Sequence, residues 1–237
     1  MLAESLSPGW LPEGIRVYAV GDSHGCADRL LALHEQIAFH AADSPPARIL
    51  LIHLGDYVDR GPDSAGVIRM LRRPPPVPGA AVVNLIGNHE QMMLAALDRR
   101  AAEEVVGFWL DNGGGATLES YGADEDDLRS WAAVPEEDLR FMRELRPSLA
   151  LGGYFFAHAG IRPDLPLDRQ DIMDLAWIRE PFLSWRGRLP AVVVHGHTPS
   201  DGPEVLPHRI GIDTGAVYGG PLTCAVLEGD RVGFLLA

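Results

Sequence analysis

Residues 49–61 read ILLIHLGDYVDRG. The first six are mostly apolar and branched, with the length of a buried strand. They run straight into a polar stretch that sets two aspartates and an arginine between glycines. Four other apolar runs end in the same manner. Residues 17–20 lead into GDSHG (21–25), 81–86 into GNHE (87–90), 154–157 into HAG (158–160) and 191–194 into HGHT (195–198). Helical patterns separate the first three. Residues 28–42 carry Leu30, Leu31, Leu33, Ile37 and Ala38 at helical spacing, 64–73 stop at three prolines, and 91–100 follow directly on GNHE. Strands alternating with helices predict an α/β fold with a largely parallel core, whose ligand sites gather at the carboxyl ends of the strands. Every motif falls there.

The motifs supply oxygen and nitrogen donors and no thiolate: Asp22, His24, Asp56, Asn88, His158 and His197. Asp22 and His24 are two apart and can serve one ion. Asp56 can bridge two ions because a carboxylate has two oxygens, while Asn88 offers an amide oxygen and His158 and His197 imidazole nitrogens. Such a set suits two divalent ions of the Mn²⁺, Fe or Zn²⁺ type and does not choose among the three, Mn²⁺ being only the working expectation; Mg²⁺ and Ca²⁺ sites use few imidazoles. Two ions about 3.5–4 Å apart clamp the attacking and leaving oxygens of an in-line displacement and lower the pKa of a bridging water. The expected nucleophile is then a hydroxide held between ions, and the expected reaction is phosphate-ester hydrolysis. Taken singly, a strand-end aspartate is as often a cap or turn former, and a single histidine is more often structural. Five motifs in series, each after a strand, reverse that weighting.

Composition narrows the setting. The 237 residues carry a formal charge of −13, which argues against a nucleic-acid backbone as partner, since that needs basic patches. All 20 basic residues are arginine, so neither a Schiff-base lysine nor a Walker-type phosphate loop is available. Cys26 and Cys224 lie far apart and outside any C-x-x-C pair, which fits a reducing interior. The first fourteen residues lack a basic stretch followed by an apolar one, and no apolar run approaches the roughly 20 residues that span a bilayer. A soluble, cytoplasmic protein with no membrane partner is the expectation. No segment reads as a coiled coil or dimer face, and the oligomeric state stays open.

Residues 101–147 interrupt the alternation and read as mostly helical, with Trp109, Trp131 and Phe141 as packing residues. They are expected to form an insertion capping one side of the site within a single domain. The acidic run 124–127 reads as a solvated turn or helix start, and 112–115 as a glycine-rich turn rather than a phosphate cradle. After HGHT the pattern becomes short strands at 209–212, 222–227 and 231–236, forming a second sheet or antiparallel additions to the first.

GDSHG, GDYVDRG, GNHE, HAG and GHT in this order resemble the phosphoprotein phosphatase branch of the calcineurin-like metallophosphoesterases. The resemblance runs from Arg16 to about Thr223, and the length is similar to that of the small bacterial and phage serine/threonine phosphatases. It implies a sandwich of two mixed β-sheets flanked by helices, with the metals at one edge. It also implies Asp22, His24 and Asp56 as ligands of the first ion, and Asp56, Asn88, His158 and His197 as ligands of the second. His89 matches the residue that protonates the leaving alkoxide and Asp59 the acid that holds it, an arrangement that favours a protonated imidazole. Arg60 matches a phosphate-binding arginine, and Arg179 resembles the second such arginine, ahead of Arg162. The implied substrate is a phosphorylated protein or a small phosphoester. The first reading is a serine/threonine phosphatase. The alternative is a symmetrical diadenosine tetraphosphate hydrolase, a group whose second motif diverges from GDYVDRG. Two departures stand out. Ser23 replaces the family's apolar residue and is expected to face away from the ions, and the extra His195 is expected to support the site without touching the metals. His53 reads as buried and structural, and Asp213 as a turn former.

Overall fold

The strand expected at 49–54 pairs in parallel with its neighbours on both sides in the computed structural model, which describes residues 3–46 and 48–237. Met1 and Leu2, the start of the segment read for a leader, lie outside the described residues. The first sheet contains β1 (Glu4–Leu6), β2 (Ile15–Val20), β3 (Arg48–His53), β4 (Ala81–Asn84), β10 (Thr223–Glu228) and β11 (Arg231–Leu236), in the order β1-β11-β10-β2-β3-β4. Only β2, β3 and β4 run parallel; β10 returns antiparallel against β2. The second sheet is β5 (Ser148–Leu151), β6 (Tyr154–Ala157), β7 (Val192–His195), β9 (Arg209–Gly211) and β8 (Glu204–Leu206), in that order. Here β6, β7 and β9 are parallel and both edge strands antiparallel. The late strands thus do both things the sequence left open: β9 enters the second sheet, while β10 and β11 extend the first.

Alternation along the strands sets the layers. Val17 and Ala19 of β2 and Ile52 of β3 pack between the sheets with Phe156, Val194, Ile210, Ala225 and Leu227. The opposite faces, Tyr18, Val20 and Leu51, meet Leu30, Leu33 and Ile37 of α1 (Ala27–Asp43) and Val67 and Ile68 of α2 (Ser64–Leu71). Strands buried on both faces read as near-continuous apolar runs, which is why the motif-bearing strands were legible. On the far side, Phe155, Ala157 and Val193 cover Leu175 of α7 (Ile172–Trp177) and Phe182. The result is helices, sheet, sheet, helices, as the resemblance implied. None of the described helices is long and apolar enough to cross a membrane.

Three boundaries differ from expectation. The helix after GNHE, α3, spans Asn88–Ala96 and begins inside the motif, because Glu90 at its third position bonds back to the Gly87 amide. The strand expected at 81–86 stops at Asn84; Leu85 makes only an isolated bridge to Arg146. Residues 112–115 are not a free-standing turn but part of a wide, kinked segment, Leu110–Gly114, that joins α4 (Glu103–Trp109) to α5 (Gly115–Ser120) and breaks helical geometry at Gly113. The segment continues through α6 (Glu136–Arg143), and residues 124–127 form the exposed turn expected of them.

Candidate metal centre

Parallel strands from both sheets end at one pole, and the motifs meet there. Asp22 and His24 follow β2, Asp56 follows β3, Asn88 opens α3, His158 follows β6 and His197 follows β7. All six are buried. The five non-glycine residues with left-handed backbone among the described residues are His24, Asp56, Asp59, Arg60 and His197. Each such residue costs of order 1 kcal/mol or more, which the surrounding contacts must overcome. Gly196 meets a further demand, since a Cβ there would fall inside the Asp22 carboxylate.

Two groups of donor atoms lie within 4.8 Å of one another: His24, Asp56 and His89, and Asp56, His158 and His197. Asp56 belongs to both, as a bridging carboxylate must. Its Oδ2 stands 3.4 Å from His24 Nε2 and 3.3 Å from His158 Nε2. His24 Nδ1 donates to the Val58 carbonyl at 2.8 Å and His158 Nδ1 to the Leu54 carbonyl at 3.0 Å, so each ring turns Nε2 inward. Asn88 Oδ1 lies 3.0 Å from His158 Nε2 and 2.8 Å from His197 Nδ1. Asp22 differs from expectation in falling outside both groups. Its Oδ2 accepts the His197 amide at 2.9 Å, which leaves Oδ1 buried without a partner among the described residues.

The residues fit divalent ions on that ground. Asp22 Oδ1 and His197 Nε2 are both buried and unpartnered, and an orphaned acceptor costs about 1–3 kcal/mol unless something electropositive satisfies it. Electrostatics agree. Burial would raise the Asp56 carboxyl, yet His158, His89 and His24 outweigh burial and hold it well below the usual carboxylate range. Burial also opposes a proton on His158, but Asp56 and Asp22 override it and lift that imidazole to about 10. Burial holds His24 and His197 neutral, at about 3. A pocket that drives a proton onto one histidine among neutral ones is short of positive charge.

Glu90, which the sequence reading passed over, fixes the frame. Its carboxylate accepts the amides of Asp56 and Gly87 at 2.9 Å, Tyr57 at 2.7 Å and Val58 at 3.3 Å. Burial, then the Asp56 charge beside it, pushes Glu90 up to about 7. The capping-box spacing from Gly87 was the signal that could have found it.

His89 Nδ1 and Asp59 Oδ2 pair at 2.7 Å, as expected. The His89 ring stands edge-on to His24 at a centroid distance of 4.6 Å. Arg60 Nη1 donates to His24 Nε2 at 2.9 Å, and its guanidinium lies 5.8 Å from the centre of the Tyr218 ring. Arg179 is exposed and near enough to His197 to disfavour its protonation. Arg162 is held in a bidentate pair with Asp164, both bonds at 3.0 Å. His195 joins neither group; it bonds the Gly196 carbonyl at 3.0 Å and packs edge-on to Phe182. Asp213 caps a turn through the Gly215 amide at 3.0 Å. Ser23 Oγ is buried with no partner among the described residues.

Known proteins place this geometry. Residues 15–233 match the family model described as calcineurin-like phosphoesterase. Serine/threonine-protein phosphatase 1 of Salmonella typhimurium is 31% identical over 221 residues, covering 90% of this chain and 92% of its own. The asymmetrical bis(5'-nucleosyl)-tetraphosphatase of Bacillus velezensis is 27% identical over 228 residues, covering 86% of each. A crystal structure provisionally assigned as a diadenosine tetraphosphatase superposes with a TM-score of 0.65 at 27% identity, covering 94% of this chain and 93% of that one. With the family model spanning nearly the whole chain and the donor groups assembled at the strand ends, this protein belongs to the calcineurin-like phosphoesterase family and is a metal-dependent phosphoesterase.

Proposed function

We propose that the chain is a phosphomonoesterase acting on phosphoserine and phosphothreonine in proteins. Asp22, His24 and Asp56 would hold one ion and Asp56, Asn88, His158 and His197 the other, with Mn²⁺ the first candidate and Fe or Zn²⁺ behind it. When bound, such a pair supplies Lewis acidity at phosphorus and a water acidic enough to attack in line. The chain's own residues do the rest. Arg60 and Arg179 orient the phosphoryl oxygens, for which a guanidinium's paired donors are suited. Arg60 reaches them by leaving the His24 nitrogen it now contacts. His89, bonded through Nδ1 to Asp59, carries its other nitrogen's proton to the leaving oxygen. Residues 101–147 form an insertion over this site within one domain. The buried, unpaired Cys26 and Cys224 suit a reducing cytoplasm.

The observation that carries the reading is the buried His89–Asp59 pair at 2.7 Å. A serine or threonine alkoxide is a poor leaving group and needs a proton in the transition state, whereas a nucleotide leaving from an anhydride does not. A second reading, hydrolysis of a dinucleoside tetraphosphate, is supported by the tetraphosphatase relative of that name at similar coverage. Protein stripped of metal and reloaded with Mn²⁺ separates the two. Phosphate release from a phosphothreonine peptide, with no mononucleotide formed above background from diadenosine tetraphosphate, is the expected result. Turnover confined to the dinucleotide would transfer the protein to the second class.

A further inference from the structure

The sequence assigns residues 101–147 to covering the site and Trp109 to packing. The hydrogen bonds give them another task. Trp109 Nε1 donates to Asp59 Oδ1 and Oδ2, both at 3.0 Å. Thr117 Oγ1 donates to Asp59 Oδ1 at 2.7 Å and accepts the Asp59 amide at 2.8 Å. Asp59, Trp109 and Thr117 are fully buried and His89 nearly so. The carboxylate that meets His89 is therefore fixed from behind by two groups 50 and 58 residues away in sequence. The backbone repeats the attachment, because the Arg60 amide donates to the Gly113 carbonyl at 3.1 Å. Gly113 has a φ of 101°, and a Cβ there would run into Arg60.

The wide turn explains how two residues eight apart reach one carboxylate. A regular helix would leave positions 109 and 117 about 12 Å apart along its axis and about 80° apart around it. The chain instead kinks at Gly113, within the wide turn Leu110–Gly114 that lies between them. Such turns cost regular hydrogen bonding and recur at functional sites.

We propose that Trp109 and Thr117 are positioning residues of the proton-donor pair: they hold the Asp59 carboxylate in the one orientation that aligns His89 with the leaving oxygen. The proposal rests on the reading of His89 as proton donor, and its test keeps the two apart. Thr117→Val keeps the shape and removes the hydroxyl; Thr117→Ser restores it; Trp109→Phe removes the indole donor. Each is loaded with Mn²⁺ and assayed on a phosphothreonine peptide and on p-nitrophenyl phosphate, whose leaving group departs at neutral pH without a proton. His89→Ala is run alongside, and thermal unfolding checks each fold.

The kcat of Thr117→Val on the peptide should fall about tenfold, a fraction of the hundredfold or more that general-acid catalysis supplies. Its kcat on the aryl ester and both KM values should stay within about threefold, and Thr117→Ser should recover the peptide rate. Equal losses on both substrates, or none on either, while His89→Ala remains selective, would overturn the positioning role and leave the donor reading standing. A His89→Ala variant with no selectivity would remove both. Should Trp109→Phe fail to fold, the Thr117 pair decides alone.

Discussion

Two sets of buried histidines meet the β3 segment within a few residues of each other, one at His53 and the other around Asp56, and they have opposite uses. His53, inside the strand, bonds Asn84 Oδ1 through Nδ1 at 2.8 Å and His34 Nε2 through its own Nε2 at 3.0 Å. The amide oxygen can only accept, so His53 carries its proton on Nδ1 and accepts the His34 Nε2 proton. Both rings are neutral: burial holds His34 at about 4, and burial together with His34 holds His53 at about 3. Just beyond the strand end, His24, His158 and His197 surround Asp56, and His197 Nε2 has no partner among the described residues. Burial alone therefore produces only a neutral imidazole. Adjacent carboxylates and buried donor atoms left without partners are what make a cation site.

Asp56→Asn attacks that difference at its centre. With the shared carboxylate gone, ion stoichiometry should fall from two per chain to one or fewer, read by metal analysis of the purified variant. Turnover should drop by about three powers of ten, the equivalent of about 4 kcal/mol of lost transition-state stabilisation. His53→Gln, three residues earlier, should leave both ions in place. Loss of metal from the second variant would show that the two histidine sets form one unit and dissolve the contrast.

The sequence made the site's own residues legible because each sits at a strand end with its glycines, where a two-residue slip is visible. Asp59 and His89 were legible as a pair only through the resemblance, which matched them to a proton donor and the acid that holds it. Glu90 escaped because its role lies in backbone amides, which the alphabet of side chains does not spell out. Trp109 and Thr117 escaped because they meet Asp59 only through the folded chain. The His34–His53 bond escaped likewise: His34 looks like one more helical position until α1 is laid across β3. Among the strands, β1 and β8 have three residues each and lie at sheet edges, too short to alternate detectably.

Acid sharpens the comparison at smaller cost. The unfolded chain protonates His34 and His53 below about 6.5, while the folded chain resists until about 4 and about 3. Their depressed values mean that stability is full above pH 6.5 and is lost as pH falls. The slope is about 1.4 kcal/mol per pH unit for each histidine. Urea unfolding at pH 6.5 and 5 should register this, and His34→Gln, which can still donate to His53, should lessen the decline by about one histidine's share. An unchanged pH dependence would mean that other groups govern acid unfolding.

The smallest effect comes from a residue placed between two site residues. Ser23 lies between Asp22 and His24, and its Oγ is as unpartnered as the Asp22 Oδ1 beside it. The two orphans ask for different things. A carboxylate oxygen lacking a partner is an invitation to a cation, whereas a buried hydroxyl lacking one is only a penalty, and the apolar residue usual at this position avoids it. Ser23→Ala should therefore raise unfolding stability by up to about 1 kcal/mol, since it removes the unmet hydroxyl without adding bulk. Ion stoichiometry and affinity, measured calorimetrically on the metal-stripped protein, should not change. A weaker Mn²⁺ affinity would instead place the hydroxyl among the donors, and the boundary between cation site and core would then run on the other side of residue 23.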